Sequence, residues 1–243
     1  MSPYENLLRQ EDFRRVGLCA LVKPGMEHSL IAAVKQGPPP AQILFRNVHA
    51  FTGELPGYSC IFVYLETTDK DVETVPALLR KDPAFAVLTQ YLSAHPRAEP
   101  TGTPWIRMEL INVIDPTMPA AVSQTQHLGY FSRLRPDREL TYRTLHQTNW
   151  PGVVDQMARS HYCCWITFLI EIGSDLALFT YCQYVGHNKA TDDDDMAADP
   201  TTQRWWVHTQ PCLEGMAGAT TPWMPLTEAT SARATIPLPQ TVS

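Results

Sequence analysis

The sequence predicts an α+β chain built from two β-α-β-β-α-β units, and three ordered matches of the chain with itself predict it. VGLCALVKP at 16–24 aligns with LGYFSRLRP at 128–136, an offset of 112. Asp82-Pro83 aligns with Asp199-Pro200 at an offset of 117, and Thr103-Pro104-Trp105 with Thr221-Pro222-Trp223 at 118. A slowly growing offset is the mark of a duplicated unit of about 110 residues with small insertions.

Each unit opens on a run with apolar residues at alternate positions, the period of a half-buried strand. A helix follows Lys23-Pro24 in the first copy and Arg135-Pro136 in the second. The second copy's helix covers DRELTYRTLHQTNWPGVVDQM, with Asp137 read as its N-cap and a restart expected at Pro151. Two apolar runs then form a hairpin, 41–51 with 58–66 and 163–172 with 175–185, across the turns TGELPG and GSD. A second helix restarts at each Asp-Pro. The segment from each Thr-Pro-Trp onward adds an edge strand. The order is ferredoxin-like, and an antiparallel sheet with helices on one face leaves its other face apolar. Two sheets in one chain are therefore expected to pack face to face as an intramolecular dimeric α/β barrel. The units are placed at 14–115 and 127–230, joined by a Pro-, Thr-, Ala- and Ser-rich stretch at 96–127. A core completed within one chain permits a monomer and leaves a homodimer open.

Composition narrows the function. A net charge of −6 with no basic stripe points away from nucleic acid. No apolar run reaches the ~18 residues of a membrane span. The polar start MSPYENLLRQEDFRR lacks the apolar core of a signal peptide, so a cytoplasmic protein is expected. The cysteines form no C-x-x-C pair and read as buried thiols in a reducing compartment. Asp192–Asp195 reads as a solvated helix start favoured by the dipole, not a calcium loop. His49, His161, His187 and His208 lack metal-ligand spacing, so no metal is expected.

The two copies differ in chemistry. Tyr142 and His146 are four apart and share a helix face. Asn149 and Trp150 follow, Trp165 lies on the first hairpin strand, and Trp205 and Trp206 lie on the second helix. The offsets put Leu30, Val34, Leu88 and Thr89 where Tyr142, His146, Trp205 and Trp206 stand. The fold does not need the second set, because the first copy does without it. Tyr, His and indoles together suit a carbohydrate pocket: indoles bury the C–H face of a sugar, and His moves protons near neutral pH. Trp150, before a Pro, and Trp105 and Trp223, present in both copies, read as packing residues.

YRTLHQTNWP (142–151), Trp165 and DPTTQRWW (199–206) resemble, in order, the motifs of the L-rhamnose mutarotase family, small ferredoxin-like proteins that dimerise through their sheets. The resemblance covers about 127–230; the first copy shares the landmarks and none of the site residues. It implies His146 as general acid/base, Tyr142 as hydroxyl donor, Trp205 and Trp206 as a stacking wall and Asn149 as a further sugar contact. Trp165 stands where the family typically has a Tyr. The implied activity is interconversion of the α and β anomers of L-rhamnose or a related deoxy-sugar, with no cofactor and a small sugar as sole partner. Two other readings stay open: a non-catalytic sugar-binding or regulatory protein, and another enzyme, a monooxygenase or lyase, on the same scaffold.

Overall fold

The computed structural model describes residues 13–38, 45–55, 57–68, 71–95, 103–116, 125–215 and 221–229. In the first half of the chain these form β1 (Arg14–Val22), α1 (Glu27–Gln36), β2 (Phe45–Leu55), β3 (Tyr58–Thr67), α2 (Val75–Leu79), α3 (Pro83–Ala86) and β4 (Leu92–Ser93). Then come β5 (Ile106–Arg107), β6 (Glu109–Ile114), β7 (Gln126–Leu134), α4 (Glu139–His146), α5 (Pro151–Arg159), β8 (Tyr162–Ile172) and β9 (Asp175–Tyr184). The chain ends through α6 (Lys189–Ala198), α7 (Pro200–Thr209), β10 (Leu213–Glu214), β11 (Met224–Pro225) and β12 (Thr227–Glu228). The predicted start of the first hairpin at 41–44, and the linker residues 96–102 and 117–124, lie outside the described residues.

The architecture is mixed α/β with two antiparallel sheets. One has the order β12-β2-β3-β1-β4 with β5 also on β1; the other has β10-β7-β9-β8-β6 with β11 also on β7. Read from opposite ends, the two orders correspond strand for strand. The registers correspond too. Leu18 faces Val63, which faces Ala50. Tyr130 faces Thr180, which faces Thr167, at the same offsets of 112 and 117.

The last strands depart from the sequence reading. β6 follows the first half's segment but pairs with β8, and β12 ends the second half but joins β2. One compact unit therefore stops at Arg107 and resumes at Glu228, while the other takes in Met108–Thr227. The boundary at 115 and the linker starting at 96 are corrected accordingly. Alternation in ELINVI marks a strand, but which sheet edge it joins is a non-local matter that alternation does not encode.

Local signals account for the rest. Both Asp-Pro helix restarts form: the Asp82 side chain accepts from Ala84 N at 2.9 Å, and Asp199 from Thr202 N at 2.7 Å. α5 restarts at Pro151 with Trp150 at its N-cap. Asp137 is not a cap; a 3-10 turn at Pro136–Arg138 precedes α4, and the Asp137 carboxylate lies beside Arg135 and Arg138. The predicted turn TGELPG is mostly strand, because pairing runs on to Leu55↔Tyr58. Gly57 (φ 94°) and Gly173 (φ 63°) supply the left-handed backbone that tight hairpin turns require.

The first unit's helix-side core is apolar: Leu18, Ala20, Val48, Ala50 and Val63 meet Leu30, Leu79, Phe85, Leu88 and Trp105. Five cysteines are buried, and Cys163 is half-buried. Among the described residues no helix is long and apolar enough to cross a membrane. The Asp run is only partly a solvated helix start. Asp192 accepts from Tyr184 OH (2.6 Å) and His161 (2.9 Å). Asp193 accepts from Tyr162 OH (2.6 Å) and Lys189 (2.5 Å), so α6 is pinned to the ends of β8 and β9.

Candidate functional site

α4 carries the first part of the site. Tyr142, 2% exposed, packs with Leu134, Leu169, Leu178 and Cys212 against the second sheet. Arg143 fixes the helix from its outer side, gripping Glu109 of β6 through two 2.7 Å bonds and Glu139 through one of 2.8 Å. One turn after Tyr142, the half-buried His146 lies over the Tyr142 ring, with centroids 4.1 Å apart. Its Nδ1 is 2.8 Å from the Tyr142 backbone carbonyl. A carbonyl only accepts, so Nδ1 carries the hydrogen and Nε2 keeps a free lone pair.

Burial pushes the His146 pKa below its ordinary 6.5, outweighing the carbonyl bond, which acts in the opposite sense. His146 is therefore neutral at neutral pH, with Nε2 as a base. Burial raises the Tyr142 phenol, aided by the nearby Cys212 thiol, so this hydroxyl stays protonated as a donor. It makes no hydrogen bond among the described residues.

The Trp pair divides. Trp205 is 6% exposed and meets the His146 ring edge-on at 5.3 Å and the Trp150 ring at 5.4 Å. Trp150 in turn meets His208 at 5.8 Å. Trp206, about 100° further round the helix, is half-buried and makes no ring contact among the described residues. Tyr142, His146, Trp205 and Trp150 thus form one continuous aromatic group. Trp150, read as packing from the sequence, belongs to it.

Trp165 sits in a neighbouring group. It stacks on Tyr130 (5.7 Å, 15°) and stands edge-on to Tyr162 (6.1 Å) and Trp223 (6.0 Å). Trp223 also packs on the apolar cluster that contains Tyr142, Leu134 and Leu169.

Asn149 is held from below. Its Nδ2 donates to Asn112 Oδ1 (3.0 Å) and to the Val113 carbonyl (3.3 Å). The Val113 contact fixes the amide's orientation, because only an NH₂ can donate there. Oδ1 is left buried with no partner among the described residues.

The sheet floor beneath these groups escaped the sequence reading. Asn112, Thr167, Thr180 and Tyr130 form a polar row across β6, β8, β9 and β7. Thr167 and Thr180 share a hydrogen bond of 2.9 Å, and Ser132, fully buried nearby, leaves Oγ unpartnered among the described residues. The first copy has Ala50, Val63, Leu18 and Ala20 where Thr167, Thr180, Tyr130 and Ser132 stand. The same offsets of 112 and 117 carry this signal in the strands as well as in the helices.

Residues 127–230 match the family model of L-rhamnose mutarotase. No curated protein sequence matches the chain. Among solved structures the chain is similar to a candidate monooxygenase from Fusobacterium nucleatum subsp. nucleatum, with 11% identity over 89% of this chain and 92% of that one, at a TM-score of 0.48. It is also similar to one from Lactobacillus acidophilus, with 7% identity over 89% and 94% of the two chains, at a TM-score of 0.49. An anthrone oxidase-like protein follows, with 10% identity over 89% and 90%, at 0.42.

Proposed function

We propose that residues 127–230, the part matching the L-rhamnose mutarotase family, are a sugar mutarotase acting on L-rhamnose or a related deoxy-sugar, with His146 as general acid/base. The second sheet's order β10-β7-β9-β8 supports reading this half as a ferredoxin-like unit, and β4-β1-β3-β2 supports the same for the first half.

The observation that carries the proposal is the His146 ring. It is tied through Nδ1 to the Tyr142 carbonyl, kept neutral by burial, and set between a phenol and an indole. Nε2 removes the proton from the anomeric hydroxyl while the bond from C1 to the ring oxygen breaks. The electron pair of the O–H bond becomes the second bond of the aldehyde, and the ring oxygen takes the C1–O pair. The Tyr142 hydroxyl donates a hydrogen bond to that oxygen, and the imidazolium returns the proton there. Both oxygens are bonded to C1, so one nitrogen serves both. Rotation about C1–C2 and the reverse sequence give the other anomer. Proton transfer by one positioned group supplies about 10²–10⁴-fold. Trp205, Trp206 and Trp165 provide apolar surface for the C–H face of the sugar, and Asn149 Oδ1 accepts from a sugar hydroxyl.

Saturation-transfer NMR on anomer exchange tests this reading. Exchange accelerated by the wild type and lost in His146→Ala is expected. Sugar binding without acceleration would leave only a binding protein.

A further inference from the structure

Trp223 and Trp105 are the same landmark in the two copies, yet they have different surroundings. Trp105 is 1% exposed and takes the Phe85 ring edge-on at 5.7 Å and 87°. The offset of 117 puts Thr202 where Phe85 stands, and Thr202 is engaged at the α7 cap through its backbone N–H to Asp199. Threonine has no ring to lay against the indole. Trp223 is accordingly only half-buried. It stands at 88° to Trp165, and it packs on the cluster that holds Tyr142.

We infer that Trp223 is a second sugar-stacking residue of the His146 pocket, forming with Trp165 a right-angled indole corner that takes the apolar C–H face of a pyranose. This rests on the sugar reading of the site. A single indole lets a sugar ring turn about the stacking axis; a second at right angles stops that rotation and presents one edge of the ring to His146. The corner exists only in the second copy, because the first has Val48 at the place of Trp165 and Phe85 over Trp105.

The test compares Trp223→Ala and Trp223→Phe with Trp105→Phe, using L-rhamnose as probe. Dissociation constants come from NMR titration and KM and kcat from anomer exchange. Trp223→Ala is expected to weaken binding and raise KM by roughly tenfold, equivalent to about 1.4 kcal/mol, with kcat within about twofold. Trp223→Phe keeps a smaller ring and is expected to lose about threefold. Trp105→Phe should lower the melting temperature and leave KM unchanged. Unchanged binding in Trp223→Ala, or in Trp223→Phe where the Ala variant does not fold, overturns the inference while leaving the site reading in place. A wild type that neither binds nor interconverts the pyranose overturns both.

Discussion

The two halves of the chain share a sheet order and a register, and they differ in what lies on the helix side of the sheet. In the first, Leu18, Ala20, Val48, Ala50 and Val63 make a dry core closed by Leu30, Leu88, Phe85 and Trp105. In the second, the same places hold Tyr130, Ser132, Trp165, Thr167 and Thr180, and Tyr142 and Trp223 pack on the same sheet. Burying a hydroxyl that lacks a partner, as Ser132 does among the described residues, costs about 1–3 kcal/mol, and replacing rings that seal a core loses packing besides. The first half holds apolar residues at the same places of a corresponding sheet, so neither the strand order nor the register requires these groups.

The contrast is most exposed at His146. Its replacement by Val, the first copy's residue, should lower catalysed exchange by about 10²–10⁴-fold, measured by saturation transfer. A variant that keeps full exchange would remove the chemical distinction between the copies. The pH dependence is the next largest effect. The folded pKa of His146 lies below 6.5, so the base is present above that range and is lost as pH falls through the folded value. The exchange rate should drop on the acid side with a midpoint below 6.5, and His146→Val should abolish that limb. The same shift makes the unfolded chain bind more protons as pH falls through 6.5, so this histidine's contribution to stability shrinks toward acid.

At the floor, Ser132→Ala installs the first half's residue and removes a buried hydroxyl with no partner among the described residues. It should stabilise the protein by about 1 kcal/mol in urea unfolding; a loss of that size would show that the hydroxyl is satisfied in the folded chain. The smallest effect concerns what the copies share. Asp82→Ala and Asp199→Ala each remove an N-cap bond and should each cost about 1 kcal/mol. Very unequal costs would mean that the landmark plays different parts in the two halves.

Much of the candidate site was legible because helix spacing is local. Four residues bring Tyr142 under His146, and the Pro after Trp150 restarts the helix where expected. The floor was less legible. Ser132, Thr167 and Thr180 look like ordinary strand residues, and they matter only through neighbours on other strands. Asn112 was hidden further, since it lies in the stretch read as a linker and reaches Asn149 across 37 positions of sequence.

Periodicity, Asp-Pro breaks and the self-match carried the element order, the hairpins and the chemical inequality of the two halves. These depend on residues a few positions apart, or on comparing the chain with itself. Tertiary structure alone decided that β6 and β12 join the sheet of the other copy, because a strand's edge groups take whichever partner the assembled fold presents. It also decided that Trp205, and not Trp206 among the described ring contacts, meets His146. Both rings lie on one helix, and only the packing of α7 beside α4 selects the one that turns inward.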